Sequence, residues 1–147
     1  VTDGERGVAF MDVRREGREL AVMLLYREKL TGLTDLGIPD MEDASEEALE
    51  LAGTLVSGVR SGLESIDAAI SEASEHWDIP RMGIVDLAVL RIGVYELLER
   101  PDTSVAVIIN EAIDIARKFS SDECGKFVNG VLDRIAGDVR RHDDTED

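Results

Sequence analysis

Apolar residues recur along this chain at three- and four-residue steps and nowhere alternate with period two for more than a few positions. That periodicity predicts helices and gives strands no support. Asp12 is placed to cap a first helix carrying Gly17, Leu20, Ala21, Leu24 and Leu25 on one face, with Gly32 as its stop. Thr31 to Ala44 mixes Gly, Pro and acids and reads as a mobile loop. Ser45, followed by Glu46 and Glu47, supplies a cap and two acids at a positive helix end, and Ala48, Leu51, Ala52, Leu55, Val56 and Val59 form the stripe behind it. Gly62 predicts a break or bend before Leu63, Ile66 and Ile70 carry the pattern toward Trp77.

Pro80 fits the first turn of a further helix. From Ile84 to Leu98 apolar residues occur on every side, interrupted mainly by Asp86, Arg91 and Glu96, which predicts a central, buried helix. Ser104 can cap the next one, with Val105, Ile108, Ile109, Ala112, Ile113 and Ala116 inward. Ser120 and Glu123 have the spacing of a capping box for a last helix whose stripe is Cys124, Phe127, Val128, Val131, Leu132 and Ile135, ending at Gly137. The expected architecture is all-α: a compact bundle of about six to seven helices with short connections. Residues 1–12 read as a flexible arm, 13–137 as one helical domain, and 138–147 as an acidic tail expected to be disordered.

At 147 residues the chain is long enough for one domain with a real core. No apolar run reaches bilayer length, and the first ten residues lack the basic start and apolar region of a secretory leader, so no membrane association and a cytoplasmic location are expected. One cysteine, Cys124, and two histidines, His76 and His142, offer no metal-ligand cluster. Cys124 falls on an apolar stripe and reads as a buried structural thiol. Asp40, Glu42 and Asp43 lack the glycine and terminal Glu of a calcium loop. No glycine-rich phosphate loop and no Ser, His and Asp set stands in a catalytic context, so neither a cofactor nor an enzyme activity is expected.

Net charge is −16, which repels nucleic acid on average. The charge is unevenly spread. Residues 38–80 hold 11 acids against one base, a net of −10, whereas residues 1–37 hold 7 acids against 6 bases, a net of −1. Within that nearly neutral start, Arg14, Arg15 and Arg18 lie within about one helical turn and could meet one stretch of phosphates. By themselves they are more simply an exposed helix start.

Two runs, Ile109-Asn110-Glu111-Ala112 and Phe127-Val128-Asn129-Gly130-Val131-Leu132-Asp133, insert Asn and Gly where a helix builder would choose Ala or Leu, which marks positions kept for contact. Together with Val89-Leu90-Arg91-Ile92-Gly93-Val94-Tyr95-Glu96-Leu97-Leu98 and Arg14-Arg15-Glu16-Gly17-Arg18-Glu19-Leu20-Ala21, the chain resembles the NusB family of bacterial transcription antitermination factors, roughly from Val13 to Ala136. The resemblance implies an all-helical fold of two packed halves and no catalytic step. It also implies that Arg14, Arg15 and Arg18 bind RNA, although Glu16 and Gly17 interrupt a run that is more continuously basic in many members. Near the last helix it places Phe119, Asp122, Glu123, Lys126 and Phe127 beside the RNA. An exposed Phe there could stack on a base, while Phe127 equally fits the apolar stripe.

The implied partners are NusE, a basic ribosomal protein, a boxA-like single-stranded RNA, and the RNA polymerase antitermination complex, chiefly on ribosomal RNA operons. Asp86 has three readings: a core ion pair with Arg91, a helix-end interaction, or a contact to a basic partner. Asn129 and Gly130 also have a structural reading, as a buried amide and a close-packing small residue. Two other functions compete: an RNA-binding accessory domain like that of RNA cytosine methyltransferases, and a protein scaffold or homodimer without direct RNA binding.

Overall fold

A computed structural model describes the backbone of residues 3–33, 44–75 and 78–140, with side chains from residue 13 onward. Six α-helices occur among the described residues: α1 (Asp3–Thr31), α2 (Glu46–Ser61), α3 (Leu63–Ala73), α4 (Ile84–Glu99), α5 (Val105–Phe119) and α6 (Asp122–Val139), with a 3-10 turn at Ile79–Arg81. The described residues contain no strand. The all-α expectation holds. The loop acids Asp40, Glu42 and Asp43, with His76, Trp77 and the tail from residue 141, lie outside the described residues.

The chain divides into two compact units, Val1–Ser57 and Gly58–Asp147. In the first, α1 begins at Asp3, so Asp12 sits inside the helix and does not start it. The segment read as an arm, residues 1–12, thus overlaps α1 from Asp3 onward. At the other end Gly32 adopts φ +73°, the only positive φ among the described residues. Its N–H donates to Glu28 O at 2.8 Å and closes the helix as expected. Ser45 caps α2 by accepting from the Ala48 N–H at 3.1 Å.

The second unit begins within α2. Helical hydrogen bonds continue across Gly62, whose N–H donates to Gly58 O while its own carbonyl accepts from Ile66, so α2 and α3 are one bent run. Pro80 belongs to the 3-10 turn and α4 starts separately at Ile84. α4 is buried nearly all round, from Leu87 through Leu97 with Arg91 and Tyr95 half-exposed. A Cβ on Gly93 would come within 2.8 Å of Leu132 Cδ1, so the bare backbone there lets α6 cross α4 closely. Arg91 forms a two-pronged pair with Asp67 of α3, both bonds at 2.8 Å, and so is not the partner of Asp86.

α6 passes through Gly137, where a stop was expected, and ends at Val139. The reason is Arg140. Arg140 is 7% exposed, and its guanidinium donates to Leu97 O, Thr103 O, Glu96 O and Arg100 O at 2.9–3.2 Å. These carbonyls lie at and just beyond the negative end of α4, where a cation is electrostatically favoured.

Candidate nucleic-acid interface

Three chain segments converge at the start of α4. The 3-10 turn brings Arg81, its exit brings Met82 and Gly83, and the first turns of α4 and α6 bring Asp86, Ser121, Glu123, Cys124, Lys126 and Phe127 around a groove of about 530 Å³. Four residues singled out from the sequence, Asp86, Glu123, Lys126 and Phe127, therefore share one site. Arg81, Met82, Gly83 and Ser121 were not anticipated there. An Arg directly after Pro80 was the available signal for Arg81, but only the fold shows which helix start it faces.

Ser121, and not Ser120, caps α6: its hydroxyl accepts from the Cys124 N–H at 3.0 Å. Ser120 is the residue that ends α5, and Glu123 stands one position too early to complete a capping box with Ser121. Freed from that role, Glu123 pairs with Lys126 at 3.6 Å, with both side chains largely exposed. Such an exposed pair contributes about 0–1 kcal/mol, so a phosphate can replace the carboxylate at little cost. Phe127 is half-buried and forms part of the groove wall. Phe119 lies outside the lining, is 38% exposed, and has the Lys118 ammonium 5.4 Å from its ring centroid.

Asp86 takes a helix-to-helix role. Its Oδ1 accepts from the Cys124 thiol at 2.8 Å and from the Ser120 hydroxyl at 3.4 Å, tying the start of α4 to the α5–α6 corner. Burial pushes the Cys124 thiol up to about 12, helped by the hydrogen bond and the negative charge of Asp86. At neutral pH it is a proton donor and not a nucleophile.

The arginine run of the first unit is graded by depth. Arg14 is exposed, Arg15 half-buried and Arg18 6% exposed. Each has an intramolecular polar or electrostatic interaction. The interruption of the run has a physical cause. Glu16 Oε1 accepts from the Ser45 N–H at 3.3 Å, and a Cβ on Gly17 would come within 2.8 Å of Leu51 Cδ2. Both positions serve the approach of α1 to α2. Asn110, Asn129 and Gly130 are exposed, and nothing lies within 4 Å of a Cβ placed on Gly130. The buried-amide and close-packing roles are thereby excluded for Asn129 and Gly130. Gly93 and Gly125 do the close packing, the latter beneath the Arg117 side chain.

Comparison with known proteins gives a concordant result. The chain is 43% identical over 141 residues to the transcription antitermination protein NusB of Citrifermentans bemidjiense, covering 88% of this chain and 97% of that protein. It is 44% identical over 141 residues to the corresponding protein of Geotalea daltonii, with the same coverage. Among solved structures it superposes on NusB of T. maritima with a TM-score of 0.74 and 36% identity, covering 84% of this chain and 89% of that one. It also superposes on a chain from a crystal structure of antitermination factors NusB and NusE in complex with dsRNA, with a TM-score of 0.75 and 30% identity, covering 86% and 97%. The NusB family pattern matches residues 15–137, and with these relatives it establishes that the chain belongs to the NusB family.

Proposed function

We propose that this chain is an RNA-binding transcription antitermination factor that pairs with NusE, takes up a boxA-like single strand, and promotes passage of RNA polymerase through ribosomal RNA operons. The observation that carries the reading is the groove in which Arg81, Lys126 and Phe127 meet at the starts of α4 and α6. Cations and an aromatic wall at helix N-termini suit a phosphate backbone with unstacked bases. The relatives covered over 97% of their length carry antitermination names, and a structural neighbour comes from a complex with NusE and dsRNA, which supports the role.

In this reading Arg14 and Arg15 neutralise phosphates from the first unit, and Arg18, being buried, holds the helix that presents them. Lys126 exchanges Glu123 for phosphate, Phe127 offers an edge or face to a base, and Phe119 offers its exposed ring under Lys118. Asp86 keeps the start of α4 in register with α6. Nothing in these roles requires a cofactor or a bond-making step.

Titrating labelled boxA RNA at several salt concentrations, with and without NusE, tests the proposal. About three neutralised phosphates on a single strand give a log–log salt slope near −2. The combined variant Arg14→Ala, Arg15→Ala, Lys126→Ala is expected to lose that slope. Unchanged affinity and slope in the variant would remove RNA binding from these residues, and NusE binding without any RNA affinity would favour the scaffold reading.

A further inference from the structure

The side of α3 shared by Gly62, Ser65, Ala69, Glu72 and Ala73 spans about 100° of the helix and borders two hollows. Near its start lies a hollow of about 420 Å³ walled by Gly58, Gly62, Ser65, Tyr95, Leu98 and Glu99. The Tyr95 ring lies so close over Gly58 that a Cβ there would overlap it, so ring and bare backbone together form a flat apolar wall. One turn further along α3 is a second hollow of about 120 Å³, where Ala69 and Ala73 face Ile135 and Val139 of α6. Leu98 and Val139 are each more than a third exposed. Small and apolar side chains thus line both hollows, which border the start and the end of α3, a helix of 11 residues and about 16 Å.

Carboxylates rim both hollows. Glu99 borders the first hollow, and Glu72 and Asp138 border the second. The cation there, Arg134, is already engaged by Glu75 at 2.6 Å, with Asp138 and Glu72 also within its electrostatic reach. Arg60, beyond the first hollow, has its own intramolecular interaction. We propose that this α3 groove is a docking site for a basic amphipathic polypeptide segment, with its apolar side chains on the Ala, Tyr and Leu floor and its Lys or Arg side chains on the carboxylate rim.

Charge complementarity selects that occupant. A polynucleotide would meet carboxylates on the rim. A second copy of the chain would bring another net charge of −16, and the chain's own residues 143–147 carry four acids. The proposal stands on the groove alone and does not require the RNA reading.

The test uses the isotope-labelled full chain and a synthetic Leu/Lys peptide of about the length of α3 that places Leu on one helical face, with a Leu/Glu peptide as counterpart. Amide shifts are expected at Ser65, Ala69, Ala73, Leu98 and Val139 with the Lys peptide and none with the Glu peptide. Ser65→Trp, which fills the first hollow from an exposed position, and Glu72→Lys with Asp138→Lys are each expected to weaken binding about tenfold, equivalent to about 1.4 kcal/mol. Val107→Ser, on exposed α5 surface, is expected to change nothing. Thermal melting confirms that each variant is folded, and the charge-reversed variant decides if Ser65→Trp is not. Shifts spread over the acidic surface or centred on the Arg81–Lys126 groove would overturn the proposal. So would binding of both peptides alike, full affinity in the variants, or a concentration-dependent dimer abolished by Ser65→Trp.

Discussion

The two ends of α4 are both fastened by α6, but in opposite ways. At its start Asp86 accepts from a thiol and a hydroxyl, beside an open groove. At its finish a buried guanidinium collects four carbonyls. Hydrogen bonds from a charged donor contribute about 1.5–3 kcal/mol each in favourable cases, against about 0.5–1.5 for neutral ones. The finish is therefore the anchor of the second unit, and the start is held more lightly beside the groove proposed to bind RNA.

The strongest way to break that contrast is Arg140→Ala. Losing the donor removes four hydrogen bonds and leaves Leu97 O, whose i+4 position is Pro101 and has no N–H, without a partner at a buried helix end, which is expected to cost about 3 kcal/mol, measured by urea denaturation, with RNA affinity of the folded fraction retained. A loss below about 1 kcal/mol would show that the anchor lies elsewhere. Midway along the helix, Gly93→Ala presses a methyl into Leu132 and should cost about 1–3 kcal/mol by the same measurement.

At the start of α4 the expected signal is a pH dependence. The Cys124 pKa is raised from 9.0 to about 12 by burial and by Asp86, so the folded chain holds this proton more tightly than the unfolded one. Its contribution is fully present below about pH 9 and is lost as pH rises from there through about 12. Because Tyr, Lys and Arg also titrate in alkali, the quantity to compare is the alkaline slope of stability in wild type and in Cys124→Ala. Equal slopes would mean that the thiol is not held as the structure places it. The smallest effect concerns Gly130, whose exposed site has room for a side chain: Gly130→Ala should raise stability by about 0.5–1 kcal/mol and leave both ends of α4 unaltered.

What the sequence discloses follows the same division. Helix positions were legible wherever a local signal sufficed: the apolar periodicity of α2 to α6, the Ser45 and Ser104 caps, and Gly32 with its left-handed φ. Asp86, Glu123, Lys126 and Phe127 were all recognisable as candidates, but nothing local said that the first would share a groove with the others across 37 or more positions. Pairings fixed by tertiary approach, such as Arg91 with Asp67 or Asp86 with Cys124, leave no periodic trace. Arg140 was missed for a related reason: in a run of charges past a glycine it has the appearance of a solvated tail, and only the carbonyls of a distant helix end give it a role.

That arginine also governs how the protein can be trimmed. The NusB family match stops at residue 137, and a version shortened to that boundary would keep every apolar contact of α6 up to Ala136 while discarding the clamp three positions later. Dissection guided by family boundaries alone would thus yield a fragment with the groove at the start of α4 intact and a loosened far pole. The least domain able to hold α4 in place must include Arg140.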